Sequence, residues 1–270
     1  MMNGTDRIKS CYVGPEISPE QFISEHYFFY MGKGSITGYD GHQAYHMKTG
    51  EYCIIRKNHL ARYKKMPEGG TIEKVVIVLD ELFLRDFQKN HEVNLHNSSI
   101  PDKAFLSLKE TDLIPNYIQS LMPYYEGHGE IDEAFSKIKR EELLLILLKT
   151  NPDLSDILFD FGTPEKIDLK AFMNQNYAFN VNLERFAYLT GRSLSAFKRD
   201  FKKIFNETPG RWLVKKRLQQ AYFLITEKME KPSEIYLDLG FEDFSHFSYA
   251  FKKRFGHPPT QLLKSVQHVD

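Results

Sequence analysis

Leu194, Phe197, Phe201 and Phe205 recur at three-to-four spacing, and Lys198, Arg199, Lys202 and Lys203 fall on the opposite face or its flanks. Fifty positions later Phe247, Phe251 and Phe255 repeat the aromatic spacing, and Lys252 and Lys253 repeat the lysine pair. Ammonium and guanidinium groups donate hydrogen bonds and accept none; they suit phosphate oxygens and, for a guanidinium, two acceptors on one base edge. A helix with aromatic anchors on one side and such cations on the other, held across a tight turn from a support helix, can be presented to a major groove. Each cation taken singly reads equally as solvated surface. The phenylalanines read as core and not as platforms for stacked bases, because their spacing follows a buried stripe.

The elements that must position these side chains form a repeat. The segment from Glu184 to Leu213 overlies that from Glu234 to Leu263, matching at Glu184 and Glu234, Leu189 and Leu239, Ser195 and Ser245, and Pro209 and Pro259. A register kept without gaps through two helices and a turn predicts one supersecondary unit used twice. In the first copy Leu183, Phe186, Ala187 and Leu189 face inward, Gly191 permits the turn, and Ser193 or Ser195 caps the next helix. In the second, Ile235 and Leu239 precede a turn at Gly240, Phe241, Glu242 and Asp243. A helix then runs from Phe244 or Ser245 to Phe255, stopped by Gly256, Pro258 and Pro259. Between them Pro209 starts a long helix through Trp212, Leu213, Leu218, Ala221 and Leu224, a rod that fixes the spacing of the two motifs. Two recognition helices on one face would reach successive major-groove segments, about 34 Å apart on B-DNA.

With 270 residues, 41% hydrophobic and 14% aromatic, the chain has material for two ordinary cores and is not disordered. Its formal charge is zero, but residues 171–270 hold 16 Lys and Arg against 10 Asp and Glu, leaving 20 against 26 before them. The resulting +6 and −6 suggest that the C-terminal part alone meets a polyanion; chance clustering of solvated charge is the alternative. Cys11 and Cys53 lie far apart in no metal-type spacing, so neither a disulfide framework nor a zinc site is indicated and a reducing cytoplasm fits. No signal sequence stands at the N-terminus, and the longest aliphatic run, Leu143 to Leu148, is too short to span a bilayer. A soluble intracellular protein is expected.

Upstream, Tyr27 to Tyr30, Ser35 to Tyr39, Tyr52 to Arg56 and Lys74 to Leu79 have strand length and composition, punctuated by glycine turns. This predicts a small sandwich or barrel of jelly-roll type. Helices follow at Asp80 to Asn90 and at Ile131 to Lys149, where Ile131, Phe135, Ile138, Leu145 and neighbouring leucines form an apolar stripe that covers the barrel or forms a dimer seam. His42, His46 and Glu51 invite a metal reading, but glycine-rich surroundings argue for strands and turns, where that spacing is less natural, and surface or turn histidines are expected. His59 and Tyr63 are the candidates for edging a ligand pocket.

At this point the chain resembles the AraC/XylS family of bacterial transcription regulators, over roughly Asn182 to Leu263. The first motif carries the resemblance at Phe186, Ala187, Ser193, Arg199, Phe201 and Lys202, and the linker at Pro209, Arg217, Leu218, Ala221 and Leu224. The second carries it at Ile235, Leu239, Gly240, Phe241, Asp243, Ser245, Phe247, Ser248, Phe251, Lys252, Lys253, Phe255, Gly256 and Pro259. This implies an α+β chain of two domains: an N-terminal cupin-like barrel or jelly roll with a helical dimerisation segment, residues 1–165, and an all-α DNA-binding domain, residues 166–270. The resemblance also implies double-stranded DNA and RNA polymerase as partners, an effector, often activation, and no cofactor. Two residues depart from the family pattern. Tyr249 stands where an arginine is frequent, which shifts the second motif from direct readout toward phosphate contacts and shape. Tyr236 replaces a small residue near the helix crossing, where its bulk would alter the motif's tilt.

Family pattern and helix geometry together make Ser195, Lys198 and Arg199 base-edge candidates, with Lys202 and Lys203 for phosphates. In the second motif Ser245, His246 and Tyr249 would face the groove, Glu242 would accept from a cytosine amine, and Lys252 and Lys253 would bind phosphates. Arg211 and Arg217 read equally as structural partners in the linker. Two other readings stand beside the regulator: a DNA-binding domain fused to a metal-dependent cupin enzyme, and an N-terminal module controlled only by a protein partner.

Overall fold

A computed structural model describes residues 7–13 (backbone only), 21–96, 103–124 and 132–267. The chain divides into two compact units, Met1–Gly162 and Thr163–Asp270.

The first unit is rich in strands: β1 Arg7–Val13, β2 Phe22–Ile23, β3 His26–Lys33, β4 Ser35–Tyr39, β5 Ala44–Lys48, β6 Tyr52–Ile55, β7 His59–Leu60, β8 Arg62–Met66, β9 Thr71–Leu79 and β10 Phe105–Ser107. They form a five-stranded sheet in the order β1-β9-β3-β6-β10, a three-stranded sheet β5-β4-β8 and the pair β2-β7. β1 runs parallel to β9; the other pairings are antiparallel. Four helices accompany them: α1 Glu81–Asn90, α2 Leu113–Leu121, α3 Glu133–Thr150 and α4 Leu154–Leu158.

The five-stranded sheet is apolar on both faces, which explains the unbroken runs Tyr27 to Met31 and Val75 to Leu79. Side chains alternate across a strand, so Phe28, Ile54, Ile77, Leu79 and Leu106 enter one core while Tyr27, Phe29, Met31, Cys53, Ile55, Val76 and Phe105 enter another. The first core lies under α1 to α4, with Leu84, Phe87, Tyr117, Leu143, Leu144 and Leu147. The second is closed by Ile36 and Met47 of the three-stranded sheet, making a sandwich.

Helix α3 divides one expectation. Its buried face is Ser136, Arg140, Leu143, Leu144 and Leu147, so the neighbouring leucines of the expected stripe do cover the sheet, while Phe135, Ile138 and Leu145 point outward at 45%, 59% and 49% exposed; Ile131 lies outside the described residues. The reason is Arg140, whose guanidinium donates to Val78 O at 2.7 Å, pairs with Asp80 and lies over the Phe83 ring. A buried, satisfied arginine is tolerated on a core face, but it breaks the apolar period by which that face is recognised.

The second unit is helical: α5 Leu169–Asn176, α6 Leu183–Leu189, α7 Leu194–Phe205, α8 Pro209–Glu227, α9 Pro232–Ile235, α10 Phe244–Phe255 and α11 Pro259–Gln267. α8, at 19 residues, is about 28 Å long from its rise per residue. It is more than a spacer. Trp212 packs edge-on to Phe201 at 5.5 Å and against Phe205 at 4.7 Å, tying its first half to α7. Leu218, Ala221 and Ile225 of its second half share a core with Phe247, Phe251 and Leu262.

Candidate nucleic-acid interface

Helices α7 and α10 have 12 residues each and begin fifty positions apart. Phe197 and Phe201 in one, and Phe247 and Phe251 in the other, are fully buried. Phe205 and Phe255, at the helix ends, are half-buried. Ser193, not Ser195, caps α7, its hydroxyl accepting from Ala196 N at 3.3 Å. Asp243 caps α10 in the same place, accepting from His246 N at 2.7 Å. Because the caps are used up at 193 and 243, Ser195 and Ser245 remain exposed in the first helical turn.

Ser195, Lys198, Arg199, Lys202 and Lys203 are all exposed, and Ser195, Arg199 and Lys202 are spaced to share one stripe of the helix. Arg199 Nε donates to Asp200 Oδ1 at 3.3 Å, a mild tether on an exposed guanidinium. Desolvation pushes the Asp200 carboxyl upward, but hydrogen bonding from Arg192 and the charge of Arg199 outweigh it, and the group stays below the usual range. Arg192 is turned away from solvent, donating to Thr190 O at 2.6 Å and Ile167 O at 3.0 Å. It braces the turn.

In the second motif Ser245, His246, Tyr249, Lys252 and Lys253 are also exposed, Tyr249 by 68%. Tyr249 occupies the place fifty positions on from Arg199. The cations of α10 cluster in its last turn, Lys252, Lys253 and Arg254, where they also complement the helix dipole. Arg254 adds a third cation beside the lysine pair, where the first motif has Ile204. Glu242 lies in the turn ahead of the cap, and its Oε1 accepts from Asn180 Nδ2 at 3.2 Å. Tyr236 packs edge-on against Phe244 at 5.6 Å and stacks toward Phe247 at 6.5 Å, filling the crossing.

The repeat is not free of gaps. In the first motif Gly191 N donates to Tyr188 O and Arg192 N to Ala187 O; in the second Gly240 N donates to Leu237 O and Phe241 N to Tyr236 O. Both are Schellman-type ends with a left-handed glycine, at φ 64° and 83°, but they stand 49 positions apart. The second turn therefore ends its helix one residue early and inserts one residue before the cap, so register is regained at Ser193 and Asp243. α9 is also shorter, four residues against seven in α6.

The ligand-pocket candidates separate. Tyr63 lines a gap between the two sheets together with Phe29, Ile36, Gly38, Tyr45, Met47, Ile55 and Phe105, while His59 is absent from that lining, its Nδ1 2.8 Å from Lys57 O. The gap is about 10 Å³, room for little more than one water. Phe105 fills it, packing against Tyr45 at 4.6 Å and Tyr63 at 5.8 Å. Gly38 is required there, since a Cβ would lie 2.5 Å from the Phe105 ring. His46 Nδ1 lies 3.0 Å from Thr37 Oγ1 across the β4-β5 pair, Glu51 accepts from Lys48 N, and His42 N donates to Asp40. Among the described residues no group of three metal-ligating side chains comes together, and no helix is long and apolar enough to cross a membrane.

Two like helices with exposed polar and cationic faces, each held across a tight turn from a support helix, define a helix-turn-helix unit of the kind that binds DNA. Residues 186–265 match a family model described as a helix-turn-helix domain, and residues 26–157 match one described as the ExsA N-terminal regulatory domain. The virulence regulon transcriptional activator VirF of Yersinia enterocolitica is 24% identical over 239 residues, 85% of each chain. The HTH-type transcriptional regulator ExsA of Pseudomonas aeruginosa is 22% identical over 96% of this chain and 93% of its own. Of solved structures, an apo ToxT variant from Vibrio cholerae aligns over 92% of this chain and 91% of its own, at 16% identity and a TM-score of 0.44. Residues 186–265 thus form an AraC-type helix-turn-helix DNA-binding domain joined to an N-terminal regulatory domain, the arrangement of AraC/XylS transcriptional regulators.

Proposed function

We propose that this protein is a transcription activator whose α7 and α10 enter successive major grooves, α7 reading bases and α10 holding mainly phosphates and shape. The observation that carries this is the pair of equal helices with buried phenylalanines in register and divergent exposed faces, Arg199 against Tyr249. In this reading residues 1–165 form a cupin-like sensing and dimerising domain and 166–270 the DNA-binding domain. Ser195, Lys198 and Arg199 reach base edges, Lys202, Lys203, Lys252 and Lys253 reach phosphates, and Ser245, His246 and Tyr249 line the second groove. RNA polymerase and, through residues 131–149, a second copy are the further partners, and the cytoplasm is the place of action. Of the two readings of the N-terminal domain, the gap beside Tyr63 supports control by a protein partner, since a ligand at that gap would have to displace the Phe105 ring.

Selection of bound duplexes from a random library tests the proposal. Enrichment of a bipartite site is expected, with the stronger base preference in one half; recovery of no preferred sequence overturns it. For the regulatory domain, a co-purified small molecule that alters DNA affinity would overturn the protein-partner reading.

A further inference from the structure

Arg217 lies in the middle of α8 and is buried, yet its three hydrogen-bond partners are neutral carbonyls. Nε donates to Tyr177 O, Nη2 to Phe179 O and Nη1 to Gly240 O, each at 2.8 Å. Burial lowers the guanidinium to about 10, so it remains charged at neutral pH. The positions it joins are separated in sequence by 40, 38 and 23 residues. Tyr177 ends α5, and Phe179 lies in the segment that leads into α6, the support helix of the first motif. Gly240 is the left-handed residue in the turn of the second motif. A second bond crosses the same junction, Asn180 Nδ2 to Glu242 Oε1. The fit is close: a Cβ on Gly240 would lie 2.6 Å from Ala178 O and 2.8 Å from Arg217 Cζ.

A planar fork with five donors can satisfy three carbonyls at once in one fixed arrangement, and a charged donor roughly doubles the strength of each bond. We infer that Arg217, assisted by Asn180, is a positioning residue that locks the approach to the first motif onto the turn of the second, and so sets the half-site spacing the protein accepts. This rests on the DNA-reading function proposed above. Neither residue touches DNA in this scheme; they act on how well the two helices engage at once, which governs bipartite binding.

The test uses the full chain and a duplex that the wild-type protein enriches from random DNA, with derivatives carrying one base pair inserted or deleted between half-sites. For Arg217→Met, affinity for native spacing should fall about tenfold, while affinity for a single first half-site stays within about twofold, so that the preference for native spacing flattens. Arg217→Lys, with charge but no fork, should fall between. An unchanged spacing preference, or equal losses on single and bipartite sites, overturns the inference. Should Arg217→Met fail to fold, judged by Trp212 emission, Asn180→Ala decides: a flattened profile supports the inference and a wild-type profile overturns it. Failure of the wild-type protein to enrich any duplex overturns the DNA-reading function and this inference with it, whereas an enriched duplex with unaltered spacing preference overturns the inference alone.

Discussion

The first and second motifs share an inside and differ outside. α7 and α10 bury phenylalanine at 197, 201, 247 and 251 to the same degree and are capped at positions fifty apart. The first spreads Lys198, Arg199, Lys202 and Lys203 along its length; the second gathers Lys252, Lys253 and Arg254 at its end and presents Tyr249 at its centre. Close packing resists change of volume, so the aromatic positions repeat, whereas exposed side chains change at little cost in stability. The supports differ as well. α6 has seven residues and α9 four, and the second motif leans on α8, whose Leu218, Ala221 and Ile225 complete its core.

The severest way to break this comparison is through the shared interior. Phe201→Ala and Phe251→Ala should each cost about 3 to 5 kcal/mol of stability. Trp212, the single tryptophan, packs on Phe201 and not on Phe251, and so reports the first motif during denaturant unfolding. Since α8 serves both motifs, Phe251→Ala should also lower the midpoint followed by Trp212; an unmoved midpoint would show the motifs to be independent.

On DNA the asymmetry should invert with the side chain. Arg199→Ala should cost about 1 to 3 kcal/mol on the preferred duplex and relax choice at one base pair. Tyr249→Ala, removing at most one hydrogen bond to a base, should cost about 1 kcal/mol or less. Gel-shift titration over operator variants measures both, and equal losses would end the claim that the first motif dominates. Tyr249→Arg then sharpens the contrast: a new preference for guanine in the second half-site, worth about 1 kcal/mol, is expected from a forked contact. No change in the selected sequence would mean that position 249 does not reach a base edge.

The smallest effects should be alike in both motifs. Lys202→Ala and Lys252→Ala should each weaken all duplexes similarly and lower the salt slope of binding by about 0.9. A loss confined to one sequence would reassign that lysine from phosphate to base.

Legibility in sequence followed locality. The aromatic period placed α7 and α10 within a residue or so, because a helix facing one core shows its period directly, and Pro209 marked the start of α8, followed in sequence as far as Leu224 of a helix that ends at Glu227. The strand β8 was not legible, because Arg62 to Met66 puts no side chain fully inside and no alternation marks it; β5 does alternate, with Tyr45 and Met47 turned inward, but over only five residues. The stripe of α3, read as barrel cover or dimer seam, divides: its neighbouring leucines face the core beside Ser136 and Arg140, whose polarity hides that face in the sequence, while Phe135, Ile138 and Leu145 are exposed. Among the candidate site residues, all eleven in the two motifs lie on the exposed surface, while His59 and Tyr63 part company, since only a sheet pairing decides which strand edges a gap.

The spacing of phenylalanines, the caps and the recurring lysine pair are local properties, set by helix period and by the unpaired groups at helix ends; the amino-acid order alone determined a doubled helix-turn-helix unit. The displaced turn needed backbone hydrogen bonds to be seen. That Arg217 is an internal clamp and not a surface cation was decided by three carbonyls brought to it from 23 to 40 residues away. No periodicity encodes such a meeting, because it exists only once separate helices have packed and water has been excluded from the junction.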